Sequence, residues 1–197
     1  MLIEKLVVGD WSTNCYILSR DENAREAVVI DPAGDAEEIL AALGARQAAG
    51  VLLTHGHFDH THALSAFAGK PIYIHPADAV MLTDANESAG AQFGDTAPRP
   101  EATDLVQEGS RISLAGLDFT VLHLPGHTPG SVAYQTEDTL FTGDTLFRHA
   151  FGRTDLPGGS FSQLRASLRR LFRMEGDYQV CPGHGVTTTL AVERSGQ

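Results

Sequence analysis

Short apolar runs alternate with helical stripes along this chain. Residues 16–18, 27–30, 51–53, 72–74, 119–122, 131–134 and 139–141 are rich in Val, Ile, Phe and Tyr and are bounded by Gly, Pro or Asp. That composition and punctuation predict strands. Three segments predict helices. Asp35 with Glu38 makes a capping pattern ahead of Ile39, Leu40 and Leu43, and Gly44 stops the run. A second helix is predicted from Asp59 towards Ala68, ending at Gly69-Lys70-Pro71. Ser160 with Gln163 opens a third, with Phe161, Leu164, Leu168, Leu171 and Phe172 on one face and Arg165, Arg169 and Arg173 exposed. Strands in runs, with helices between and after them, predict an α+β arrangement of sheets covered by helices. Segment 83–104, rich in Ala, Gly, Asp, Thr and Pro, reads as a long loop, either a functional cover or a connector. Nothing marks a second folding unit, so residues 1–197 read as one domain.

Composition then removes whole classes. The 197 residues carry 14 Lys and Arg against 25 Asp and Glu, a formal charge of −11, which repels phosphate backbones and disfavours nucleic acid as a partner. The longest apolar runs are far short of a membrane span. The N-terminal stretch has no basic head, long apolar core and small-residue cleavage site, so no secretory signal is expected. Cys15 and Cys181 are too few and too far apart to form a disulfide framework, and the cytoplasm is the expected compartment.

The chemistry concentrates in Thr54-His55-Gly56-His57-Phe58-Asp59-His60, directly after an apolar strand. In an extended loop the side chains of His55 and His57 leave on the same side. Asp59 and His60 follow where the chain turns into a helix, which can swing them to the same point. Three imidazoles and a carboxylate suit Zn²⁺, Fe²⁺ or Mn²⁺. Further donors stand beside glycine at the ends of apolar runs: His127 in Pro125-Gly126-His127, Asp144 in Thr142-Gly143-Asp144, and His184 in Pro182-Gly183-His184. Glycine lets the backbone turn sharply and approach an ion closely. His149 lacks that context.

Taken in order, TNCYIL, VVIDPAGDAEEIL, THGHFDH, PGHTPGS, TGDTLF, FGRTDLPGGS and CPGHG resemble the metallo-β-lactamase fold superfamily, most closely its glyoxalase II (hydroxyacylglutathione hydrolase) branch, over nearly the whole chain. The resemblance implies an αββα sandwich, two mixed sheets flanked by helices with the metals at one edge. It implies that His55, His57 and His127 hold one divalent ion, that Asp59, His60 and His184 hold a second, and that Asp144 bridges them. Asp59 and Asp144 are then the catalytic carboxylates. Zinc is the first expectation for both ions, with iron or manganese also fitting the donors. The implied activity is hydrolysis of a small-molecule thioester, a 2-hydroxyacyl thioester of the S-lactoylglutathione kind, by a metal-bridging hydroxide.

Departures from that branch concern the thiol carrier. Arg153 stands where the branch carries a Lys that contacts the carrier, and is expected to bind substrate through a carboxylate. Asp155 and Val186 stand where the branch carries two carrier-binding Tyr residues, and a short form without the helical C-terminal domain of the longer enzymes is expected. The alternative within the same fold is a persulfide dioxygenase, which shares the GRTD stretch and would use one iron on His55, His127 and Asp144. A β-lactamase is disfavoured because common forms place Cys where Asp144 stands. His62, His75, His123 and His149 are read as bystanders, and Cys15 and Cys181 as structural. Asp31 is read either as a turn former or as an acceptor behind a ligand imidazole.

Overall fold

The computed structural model describes residues 1–196. Two mixed six-stranded sheets stack face to face. The first contains β1 (Leu2–Val8), β2 (Thr13–Ser19), β3 (Glu26–Ile30), β4 (Gln47–Leu52), β5 (Ile72–Ile74) and β6 (Asp104–Leu105), in that spatial order. Its first two pairings are antiparallel and the other three are parallel. The second contains β7 (Arg111–Leu114), β8 (Leu117–His123), β9 (Val132–Thr136), β10 (Thr139–Gly143), β11 (Gln179–Pro182) and β12 (Thr188–Thr189), antiparallel except for the β10–β11 pair. The helices are α1 (Ala36–Leu43), α2 (Phe58–Thr61), α3 (Phe161–Phe172) and α4 (Leu190–Ser195). This is the expected αββα sandwich. Among the described residues, no helix is long and apolar enough to cross a membrane.

The layering follows from strand periodicity. Successive side chains leave a strand on opposite faces, and here both faces of the central strands are buried. Cys15, Ile17, Ala27, Val29, Val51 and Leu53 point outward to meet Ile39 and Leu43 of α1. Their neighbours Tyr16, Leu18, Val28, Ile30 and Leu52 point inward against Phe119, Val121, Val132, Tyr134, Phe141 and Cys181 of the second sheet. The far face of that sheet, with Leu122, Ala133, Leu140 and Val180, packs under Leu164, Leu168 and Leu171 of α3. Three apolar layers therefore separate four structural ones. The buried hydroxyl of Tyr134 donates to the Leu53 carbonyl at 2.9 Å, tying the sheets together near one end.

Several elements differ from the sequence expectation. β1 and the short strands β6, β7, β11 and β12 were not evident from composition. β1 carries Glu4 and Lys5 in its middle and is largely exposed on an edge. The helix predicted from Asp59 to Ala68 breaks after Thr61, because the Ala63 amide turns aside to donate to the Pro32 carbonyl at 2.9 Å. A separate tight turn follows at Leu64–Phe67. Asp35 precedes α1 but does not cap it. It adopts a left-handed conformation and its carboxylate accepts from the Gly9 amide at 2.8 Å. Ser160 does cap α3, through the Gln163 amide. Segment 83–104 is an irregular connection, yet it is anchored. Its buried Arg99 donates from Nε to the Thr61 carbonyl at 3.0 Å and pairs with Asp95.

Replacing Phe141 with Ala empties a fully buried ring from the inter-sheet layer and should cost about 3–5 kcal/mol. Leu105→Ala, at a strand end that is 61% exposed, should cost less than about 0.5 kcal/mol. Urea unfolding midpoints measure both.

Candidate metal centre

The donors collect at one end of the sandwich, where β4, β8, β10 and β11 all finish. β8 and β10 both run antiparallel to β9, and β11 runs parallel to β10, so their C-terminal ends share an edge. Backbone bonds stitch the two sheets there. Val132 donates to the Thr54 carbonyl at 2.8 Å and Asn14 donates to the Gly183 carbonyl at 2.7 Å. Asn14 Nδ2 and the Tyr16 hydroxyl both reach the Pro182 carbonyl, at 2.8 and 2.7 Å. β2 thus grips the loop that carries His184.

All seven predicted donors converge. Ligand atoms of His55, His57 and His127 form one cluster, those of Asp59, His60 and His184 a second, and those of His55, His60 and Asp144 a third, each within 4.8 Å. Asp144 lies between the first two. Its Oδ2 is 3.5 Å from Nε2 of both His127 and His184, and its Oδ1 is 3.3 Å from Nε2 of His60. Asp59 Oδ2 is 3.3 Å from His184 Nε2. The first triad is fully enclosed, whereas the side chains of Asp59 and His184 are 14% and 28% exposed. The cavity therefore opens on the side of the second triad.

The donor set fits cations on structural grounds. Nε2 of His55, Nε2 of His60 and Oδ1 of Asp144 are buried without hydrogen-bond partners, a state that native interiors avoid. His57 Nδ1 and His127 Nε2 are 2.9 Å apart, and two lone pairs at that distance repel unless a proton or cation lies between them. The backbone leaves room as well. A Cβ on Gly183 would come within 2.2 Å of Asp144 Oδ1 and 2.6 Å of His60 Cε1, so any larger residue would fill the cage.

A second ring of groups fixes which nitrogen faces inward. Asp31 accepts from the Thr54 amide at 2.8 Å, from the Thr54 hydroxyl at 2.6 Å and from His60 Nδ1 at 2.9 Å. With its proton given to Asp31, the Thr54 hydroxyl is left as an acceptor for His55 Nδ1, 3.1 Å away. One buried carboxylate thereby sets the tautomers of two imidazoles. It does so from a left-handed backbone conformation at φ +50°. His127 donates from Nδ1 to the Arg153 carbonyl at 2.7 Å, which turns its Nε2 to the cavity. Asp78, fully buried, accepts from the Gly56 amide at 3.1 Å, the Thr128 hydroxyl at 2.6 Å and the Gly130 amide at 2.6 Å. It fastens the loop of His55 and His57 to the loop of His127.

Burial and charge divide the imidazoles. Burial, helped by neighbouring histidines, holds His55 far below the usual histidine range and brings His57 down to about 3. His60 goes the other way. Burial opposes its charge, but Asp144, Asp59 and Asp31 together outweigh that and raise it. Asp144 is held well below the usual carboxylate range because His60, with His127 and His184, overcomes the cost of its burial. The three carboxylates around His60 thus favour positive charge at this point of the cavity, a demand that a bound cation would also meet.

The remaining candidates lie outside this cluster. Arg153 has its guanidinium on Asp155, with two contacts of 2.7 Å, and only its carbonyl reaches the centre. His62 pairs with Asp95, His75 stacks on His123 with centroids 4.1 Å apart, and His149 lies near Glu193. Cys15 and Cys181 are buried free thiols. Burial pushes both up, Cys181 to about 12, so neither offers a thiolate. Of Asp31's two readings, the hydrogen bonds favour the acceptor. Sequence reasoning missed Asp78, whose only signal is a lone acid before the apolar run Ala79–Leu82, and the Arg153 carbonyl, which no side-chain pattern reveals.

A profile of the metallo-beta-lactamase superfamily matches residues 8–184. Among curated proteins, the chain is 34% identical to the hydroxyacylglutathione hydrolase GloC of Haemophilus influenzae, over 98% of this chain and 95% of that one. Among solved structures, the BLEG-1 B3 metallo-beta-lactamase superposes with a TM-score of 0.92 at 34% identity, covering 98% of this chain and 97% of that one. TTHA1623 in a di-iron-bound form gives 0.84 at 36% identity, covering 96% of each chain. ETHE1 from Myxococcus xanthus gives 0.75 at 31%, covering 98% of this chain and 82% of that one.

Asp31→Asn should weaken metal binding about ten- to a hundredfold with the far-ultraviolet circular dichroism unchanged, measured by titration against a competing chelator. Asp78→Asn sets an amide against groups that already donate. It should cost about 1–3 kcal/mol of stability, read from urea unfolding.

Proposed function

The chain belongs to the metallo-beta-lactamase superfamily, whose members are generally metal-dependent hydrolases, and from that premise we propose that it is a binuclear metal-dependent thioester hydrolase. The observation that carries the proposal is the pair of donor triads with Asp144 between them. His55, His57 and His127 would hold one divalent ion, Asp59, His60 and His184 the other, and Asp144 both. Such ions, when bound, supply Lewis acidity towards a carbonyl and a water acidified to near neutrality. The donors suit zinc, and iron or manganese equally; the likeness to the di-iron form of TTHA1623 keeps iron in view.

The protein's own groups do the rest. Burial keeps His55 and His57 uncharged, with lone pairs to offer, and neutral imidazoles would leave an ion more electrophilic than carboxylates in their place. Asp59 is held below the usual carboxylate range: burial opposes this, but His60 and His184 outweigh it. Part-exposed at the cavity mouth, it can orient an attacking water by accepting its hydrogen bond. No side-chain nucleophile competes, because both thiols are buried and protonated. The substrate is a small-molecule thioester, with 2-hydroxyacyl thioesters such as S-lactoylglutathione as the reference. The likeness to GloC supports this reading. Arg153, beside His127, can exchange Asp155 for a substrate carboxylate. The acidic balance and the two buried free thiols agree with a cytoplasmic enzyme that binds neither nucleic acid nor membrane.

A second reading, a mononuclear iron persulfide dioxygenase on His55, His127 and Asp144, draws on the likeness to ETHE1. The intact second triad, which that chemistry does not need, favours hydrolysis.

Elemental analysis should find two metal ions per chain, alongside hydrolysis of S-lactoylglutathione or a related thioester. Oxygen uptake with glutathione persulfide and no thioester cleavage would reverse the assignment. A β-lactam belongs in the same panel, given the likeness to BLEG-1, and is expected to be the poorer substrate. Asp144→Ala should lower kcat/KM on the order of a thousandfold, the rate equivalent of about 4 kcal/mol, with metal lost and the fold kept. Normal turnover with full metal content in that variant would refute the bridging role.

A further inference from the structure

Beside the mouth of the cavity lies a pocket of about 510 Å³. Three aromatic rings from distant parts of the chain wall it: Trp11 from the β1–β2 turn, Phe58 from the start of α2, and Phe93 from segment 83–104. They hold one another. Trp11 meets Phe58 edge-on at 5.6 Å and Phe93 at 4.7 Å, and Phe58 stacks on Phe93 at 5.3 Å. Trp11 and Phe93 nevertheless remain 46% and 44% exposed. Large rings braced against each other but left open offer a preorganised apolar surface. Asp59 lines this pocket and also belongs to the second triad, so the pocket and the metal centre are continuous.

Charge narrows what can enter. Asp10, Asp35 and Asp95 line the pocket, and no Lys or Arg does. Of these, Asp95 is paired with Arg99 and His62, whereas Asp10 and Asp35 have no cation partner among the described residues. A negatively charged group is repelled here, so the carboxylates of a thiol carrier must lie on the other side of the centre, towards Arg153. The uncharged arm across the scissile bond is left for the pocket. A lactoyl group fills only a small part of 510 Å³.

We propose that the Trp11–Phe58–Phe93 pocket is the acyl subsite and takes an aromatic acyl arm without negative charge. The proposal rests on the thioesterase reading above and names its substrate class. It also gives segment 83–104 a task, as the carrier of Phe93.

Lactoyl, mandeloyl and succinyl thioesters of one thiol, given to the metal-loaded protein, test it. The mandeloyl ester should exceed the lactoyl ester in kcat/KM by about tenfold or more, and the succinyl ester should be the poorest. Phe93→Ala should lower the mandeloyl-to-lactoyl ratio at least about fivefold, while Phe93→Leu, which keeps apolar bulk, should retain most of it. Equal rates for the first two esters, a leading succinyl ester, or a ratio untouched by Phe93→Ala would overturn the subsite. Trp11 is the only tryptophan in the chain, so its emission reports on the pocket without turnover. Neutral mandelamide should give a saturable change and lactamide none. If no thioester is cleaved, the thioesterase reading falls and this titration alone judges the pocket. A change with mandelamide upholds an aromatic subsite, and no change overturns it.

Discussion

Buried lone pairs without protein partners are the constraint on which the structure turns. His55, His57, His60 and His127 crowd with Asp144 into a space where several of their polar atoms find no protein partner. Such a cluster is unfavourable in isolation, because unsatisfied buried groups and like-oriented dipoles cost free energy. It persists because rigid neighbours hold each ring from behind. Asp31 and Asp78 are the principal ones, and both are buried carboxylates satisfied by several donors. The strained backbone at Asp31 belongs to the same logic: local cost is tolerated where it fixes a functional geometry.

The sandwich supplies the stiffness for that arrangement. Strands buried on both faces cannot slip register without turning whole apolar rows towards the wrong layer. Their ends are therefore fixed in space, and loops only a few residues long carry the donors from them. The two sheets meet at this edge through main-chain bonds, from Val132 to Thr54 and from Asn14 to Gly183. The centre accordingly straddles the seam between the sheets.

The converging donors were legible because they are dense in sequence or sit at glycine corners after apolar runs. His55, His57, Asp59 and His60 announce themselves within one motif, and His127, Asp144 and His184 each follow a strand and a glycine. Central strands were legible for the same reason as the core, a concentration of β-branched and aromatic residues. Edge elements were not. β1 mixes charge with aliphatic residues because one of its sides faces solvent, and β6 and β12 are only two residues long. The early end of α2 depends on an amide bond to Pro32, a tertiary contact that no local pattern encodes. Asp78 was hidden likewise, since its partners lie 22, 50 and 52 residues away.

The grip of β2 on the loop around Pro182 and Gly183 has a temporal side. A ribosome delivers the THGHFDH segment early, with the whole second sheet still unmade, since β7 begins at Arg111. His184, the last of the donors in sequence, is made 124 residues after His60. Until Asn14 and Tyr16 have captured that late loop, the nascent protein presents a half-formed basin in place of a cage. Closure of the donor cage thus waits on a segment made long after its first histidines, so metal supplied to the nascent chain meets an incomplete set of donors.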